Sequence, residues 1–169
     1  EELQKLFAKD GPIYGNSDLN LGKTVAEKFV FALRLSGMVS IQAPKSQDDK
    51  RARKILLDLE KEEPGNAAFP FFRFAIEQRN PDWKEESEKT LQSLKEKSYF
   101  QSYLFSLVQD LHSQKWRSAT YHFSLSQFLD YARIPYYIPG QAIMEYDRKN
   151  KTEFGKIVGD LMMQEGKQI

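Results

Sequence analysis

Apolar residues recur with helical spacing along nearly the whole of this chain, and that periodicity constrains the fold more than any other feature. Ala26, Phe29, Val30, Leu33 and Gly37 follow the i, i+3, i+4, i+7, i+11 pattern. Ala52, Ile55, Leu56 and Leu59 repeat it, as do Phe100, Tyr103, Leu104, Leu107, Val108 and Leu111, and then Phe154, Ile157, Val158, Leu161 and Met162. Such stripes place one face of each helix against a core. No segment shows sustained period-two alternation enriched in β-branched residues. The spacing therefore predicts an all-α chain, with helices over about 20–38, 47–63, 67–79, 82–97, 99–113, 117–133, 140–149 and 152–165. Most links are only a few residues, so consecutive helices should run antiparallel.

Local signals set the expected boundaries. Ser46 precedes Asp48 and Asp49, acidic residues suited to a first turn. Pro64-Gly65-Asn66 ends one helix and offers Asn66 as the next cap, and Asn80-Pro81-Asp82 does the same one helix later. Pro135 and Pro139 bracket Tyr136-Tyr137-Ile138, which is expected to leave the helix. Residues 1–19 read as a tail or loop and 20–169 as one domain.

A period is also visible. Trp83 and Trp116 lie 33 residues apart, each after a polar turn, while Ala52/Ser87, Leu56/Leu91 and Leu59/Leu94 are each 35 apart. A two-helix unit of about 34 residues resembles the tetratricopeptide repeat, or TPR. Ala52, Leu56 and Leu59 match the small and large apolar positions of that repeat's second helix, and Pro64 stands where its closing proline belongs. Phe71 would take the bulky opening position of the following first helix, and Phe74 and Ala75 its large-then-small pair. Ser87, Leu91 and Leu94 repeat the second-helix pattern. The match departs at Pro70, inside a first helix, and at Ser98-Tyr99, where no proline closes the second unit. The resemblance implies a right-handed α-solenoid of stacked antiparallel helix pairs, with a concave groove that holds a protein or peptide segment. Phe71 and Phe74 fall on the packing stripe. Phe69, Phe72, Ile76 and Arg79 fall on the neighbouring face, which in this family lines the groove, with Tyr103, Val108 and His112 on the corresponding face of the next first helix. This reading requires that face to be open.

Composition narrows the chemistry. The chain has 25 Lys+Arg against 24 Asp+Glu, a net charge of +1, so it lacks the field that holds nucleic acid. There is no cysteine, and the two histidines, His112 and His122, share no ligand spacing with carboxylates, so no metal or cofactor is expected. Gly22-Lys23-Thr24 lacks the upstream glycine of a phosphate loop and reads as a helix start. Adjacent acidic pairs such as Glu85-Glu86 diverge around their helices and cannot converge on a substrate, and Glu85–Lys89 reads as a solvated i, i+4 pair. No apolar run is long enough to span a membrane. The expectation is a non-catalytic protein- or peptide-binding module, monomeric or weakly dimeric. The alternative is a scaffold or oligomerisation subunit of a larger, envelope-associated assembly, with Phe154 to Met163 as its cap or pairing helix. A chain beginning at Glu1 fits a cytoplasmic fragment or an exported or lipid-anchored protein whose leader has been removed. Of the 22 aromatic residues, 18 lie between Phe69 and Phe154, and 11 of the 16 residues from Asp48 to Glu63 are charged. The aromatic helices should form an inner layer and the charged ones an outer, solvated layer.

Overall fold

The computed structural model describes residues 24–38, 46–103 and 136–165. Among these residues there are six α-helices: α1 (Val25–Leu35), α2 (Ser46–Glu62), α3 (Ala68–Gln78), α4 (Lys84–Ser93), α5 (residues 136–150) and α6 (Phe154–Glu165). Short 3-10 turns, Pro81–Trp83 and Leu94–Glu96, extend α4 at both ends. No strand occurs among the described residues, and none of the helices there is long and apolar enough to cross a membrane. The chain is all-α. The expected helix at 117–133 lies outside the described residues, as does all but the first few residues of the one at 99–113.

The helix ends are set by local chemistry. Thr24 and Glu27 form a reciprocal cap: Thr24 N–H donates to Glu27 Oε2 at 3.0 Å, and Glu27 N–H donates to Thr24 Oγ1 at 3.2 Å. This is how the Thr of Gly22-Lys23-Thr24 is used. At the other end of α1, Gly37 has φ 70°, and Met38 N–H reaches back to Leu33 C=O at 2.9 Å. That six-to-one closure needs a left-handed residue, and glycine takes it without penalty. Met38 is then folded into the core. Gly37 thus ends the helix rather than continuing its packing stripe. Asn66 and Asn80 cap as expected, accepting from Ala68 N–H at 3.1 Å and Asp82 N–H at 3.0 Å. The turn after α5 puts the non-glycine Lys151 at φ 57°, with Thr152 N–H on Asp147 C=O at 3.2 Å. The Asp147 carboxylate accepts from Phe154 N–H at 3.0 Å and Gly155 N–H at 2.7 Å, so a side chain on α5 caps α6.

Two expectations are corrected here. Residues 136–138 do not leave the helix: α5 runs over 136–150 with Pro139 inside it. Residues 99–102 are not helical. Their backbone is held elsewhere: Ala67 N–H donates to Tyr99 C=O at 2.8 Å, Tyr99 N–H to Gly65 C=O at 3.2 Å, and Gln101 N–H to Asn66 Oδ1 at 3.0 Å.

Cross-links fix the directions of the helices. Lys28, early in α1, pairs with Glu62, late in α2, at 2.7 Å. Arg79, just past α3, pairs with Asp49, early in α2, at 2.5 Å. Gln78 at the end of α3 donates to Ser87 near the start of α4 at 2.9 Å, while Arg73 reaches Thr90. Each consecutive pair from α1 to α4 is therefore antiparallel. The turn at 64–66 lies beside 97–101: Lys97 Nζ donates to Pro64 C=O at 2.8 Å, Ser98 N–H to Gly65 C=O at 3.0 Å, and Asn66 and Tyr99 form an isolated parallel bridge. A Cβ on Gly65 would sit 2.7 Å from Ser98 Oγ, so the approach depends on glycine.

The core is aromatic and centred on α3, which is buried from Ala68 to Glu77. Phe29 of α1 meets Phe69 and Phe72 edge-on at 5.7 and 5.3 Å, and Phe71 meets Phe100 at 5.5 Å. Tyr136 of α5 closes the cluster against Phe72 at 5.5 Å. Two charges sit inside this helix. Glu77, with 0% side-chain exposure, accepts from Arg53 Nε at 2.6 Å, Arg73 Nη1 at 3.2 Å and Thr90 Oγ1 at 2.6 Å. Arg73 also donates to Thr90 Oγ1 at 2.6 Å and to Glu60 at 2.7 Å, and Glu60 holds Lys97 at 2.8 Å. The helices assigned to an outer layer thus send charges inward, because a buried charge needs a partner.

Removing Glu77 should leave Arg53 without a carboxylate partner and Arg73 with Glu60 alone. Glu77→Ala is expected to cost about 3–5 kcal/mol in denaturant unfolding, against less than about 1 kcal/mol for Lys28→Ala in its half-exposed pair. At the left-handed positions, Gly37→Ala should cost about 1 kcal/mol and Lys151→Gly should gain up to about 1 kcal/mol in the same assay.

Candidate functional site

The anticipated groove face is closed. Phe69, Phe72 and Ile76 are all 0% exposed, and the first two are packed against Phe29. Tyr103 stacks on Phe69 at 6.5 Å and meets Phe29 at 6.1 Å. The expectation that these residues form an open binding face is corrected by that packing. The physical reason is that a helix apolar on every side is buried on every side. Arg79 is engaged structurally, donating to Ser36 C=O at 2.6 Å and to Asp49 Oδ1 at 2.5 Å. Burial raises the Asp49 pKa above the ordinary carboxylate value, with the Arg79 charge acting against it. Val108 and His112 lie outside the described residues.

Tyr103 is half-buried and donates its hydroxyl to Glu63 Oε1. Glu63 Oε2 also accepts from Asn66 Nδ2 at 3.0 Å and from Tyr99 at 3.5 Å. Burial, and then the Glu63 carboxylate, push the Tyr103 phenol well above its usual pKa. Tyr99 shifts the same way for the same two reasons. This cluster fastens the 64–66 turn to the start of the next segment.

Two hollows lie among the described residues elsewhere. A cleft of about 660 Å³ separates the end of α3 and the start of α4 from α5. Its apolar lining includes Ala75, Ile138, Ala142 and the Tyr146 ring. Tyr146 is held edge-on by Phe74 at 6.1 Å and Phe154 at 6.2 Å. Polar groups complete the wall: Gln78 and Ser87, bonded to each other, then Lys84 and Glu88 from α4 and Glu145 and Lys149 from α5. A second hollow of about 580 Å³ shares Glu88 and Tyr146 with the first and continues along Glu85, Lys89, Gln92 and Glu96. Burial raises the Tyr146 phenol pKa, and the Glu88 and Asp147 carboxylates add to the rise. Glu85 and Lys89 line this hollow without closing the expected ion pair.

Of the Tyr136-Tyr137-Ile138 segment, Ile138 lines the cleft, Tyr136 is packed on the core and Tyr137 is 67% exposed. The cleft residues of α4 and α5 were not singled out by their sequence. Their one local signal is a Lys and a Glu four apart on each helix, which an isolated helix reads as solvated surface. Among the described residues, no three His, Cys, Asp or Glu side chains are grouped to hold a metal ion. No protein-family model matches the chain, no curated protein matches it, and no solved structure matches it.

The phenol environment sets an alkaline limit on stability. In the unfolded chain Tyr103 ionises near pH 10, whereas in the fold it keeps its proton to higher pH. The unfolded state therefore loses protons first, and stability should fall as pH rises above about 10. Tyr103→Phe should be less stable at neutral pH but show a shallower loss between about pH 8 and pH 11, measured by urea unfolding.

Proposed function

We propose that this chain is a non-catalytic, TPR-like binding module that holds a protein or peptide segment in the cleft between α4 and α5. The cleft carries the reading. It is concave, half apolar and half polar, and built on helices locked by the Glu77 network. Pockets that combine apolar walls with a few placed polar groups are where ligands are held. The anticipated site moves from the Phe69/Phe72/Ile76 face to this cleft because that face packs internally. The solenoid part of the reading is supported by register: the contacts Lys97–Pro64, Ser98–Gly65 and Gln101–Asn66 join residues 33 to 35 apart, as stacking of helix pairs with that period requires.

Selection of a random peptide display library against the whole chain tests this. The expected result is a shared sequence motif whose binding weakens about tenfold in Lys84→Glu and in Glu145→Lys, with thermal unfolding unchanged in both. Failure to enrich any motif, or equal binding by both variants, would refute the assignment.

A further inference from the structure

Each helix facing the cleft presents a lysine and a glutamate four residues apart: Lys84 and Glu88 on α4, Glu145 and Lys149 on α5. All four side chains are exposed. Among the described residues none is ion-paired, either within its own helix or across the cleft. The nearby cation Arg79 is already committed to Asp49 and Ser36, and Gln78 and Ser87 satisfy each other. Two positive and two negative groups therefore remain to meet a ligand.

We infer that the cleft takes an extended peptide segment bearing one acidic and one basic side chain two residues apart. The inference rests on the cleft being the binding site proposed above. Four residues of helix rise ~6 Å, and in an extended chain side chains two apart lie on one face at ~6.6–6.8 Å. The two spacings match, so one face of the segment meets a lysine and a glutamate of a single wall together. The intervening side chain turns away, and the backbone lies along the strip of Ile138, Ala142 and Tyr146. On either wall a segment with two acidic groups would set one of them against Glu88 or Glu145, and one with two basic groups would set one against Lys84 or Lys149. Like-charge contact of this kind is how an interface rejects a wrong partner. The same glutamates repel phosphate, so a nucleic acid or an anionic lipid surface is the wrong chemistry for this wall.

Fluorescence anisotropy with the full chain and short fluorescein-labelled Ala/Ser peptides tests the inference. The three probes carry Glu-Ala-Lys, Glu-Ala-Glu or Lys-Ala-Lys at their centre. Wild type should bind the mixed peptide about tenfold tighter than either like-charged one, and the advantage should shrink as ionic strength rises. The double variant Lys84→Glu, Lys149→Glu makes the wall wholly acidic and should prefer Lys-Ala-Lys. Absence of binding by the mixed peptide, no discrimination among the three, or a preference unchanged in the double variant would overturn the inference. If a display-selected motif still depends on Lys84 and Glu145, only the charge pattern has failed. If no cleft-dependent peptide exists, the binding reading fails with it.

Discussion

The Glu77 carboxylate is the point on which the rest of the structure depends. It is fully buried, and isolated it would be prohibitive in an aromatic interior. It becomes tolerable through donors from three helices: Arg53 on α2, Arg73 on its own helix, and Thr90 on α4. Removal of apolar surface from water has no direction of its own and fixes register only through the fit of the side chains. The hydrogen-bonded carboxylate has direction, and so fixes the register of both neighbours. Arg73 and Glu60 extend this order to Lys97, and Lys97 to the Pro64 carbonyl. One ionic chain thus connects the interior of α3 to the turn beneath it.

That turn does the second half of the positioning. Gly65 and Asn66 contact Ser98 through Gln101 by backbone bonds and by both ends of the Asn66 amide. A Cβ at 65 would press on Ser98 Oγ and the Tyr99 ring, so glycine lets the two segments lie close without displacing them. The α3–α4 hairpin is therefore held at its central network and at its base, while its far end, from Gln78 to Lys84, faces α5 across open space. A wall anchored in this way can present charges at fixed separations, as selective recognition requires.

Features set by nearest neighbours were readable from sequence. Asn66 and Asn80 cap the helices they precede, and α2, α3 and α6 fall within two residues of their expected bounds. Features set by distant parts of the chain were not. Pro139 reads as a break in the sequence, yet residues on both sides of it are helical. Residues 99–102 carry helical spacing but give their hydrogen bonds to the 65–67 turn. The Phe69–Phe72–Ile76 face reads as a groove only if nothing covers it, and periodicity cannot report that Phe29 does. The strongest unused signal was Arg73 with Glu77, an i, i+4 pair inside the otherwise aromatic AFPFFRFAIEQ helix. Charges in such a stripe imply partners on adjoining helices, but not which ones. The cleft belongs to the same class, since α5 is more than fifty residues from the start of α4.

The Asp147 cap links two helices. The first free N–H groups of α6 are satisfied by a carboxylate that is in place only while α5 is helical. Unwinding the last turn of α5 withdraws that acceptor, and α6 then starts with bare donors. The start of α6 therefore depends on the last turn of α5 staying wound. Tyr146, ring-packed on Phe154 of α6, carries the same dependence into the wall of the cleft.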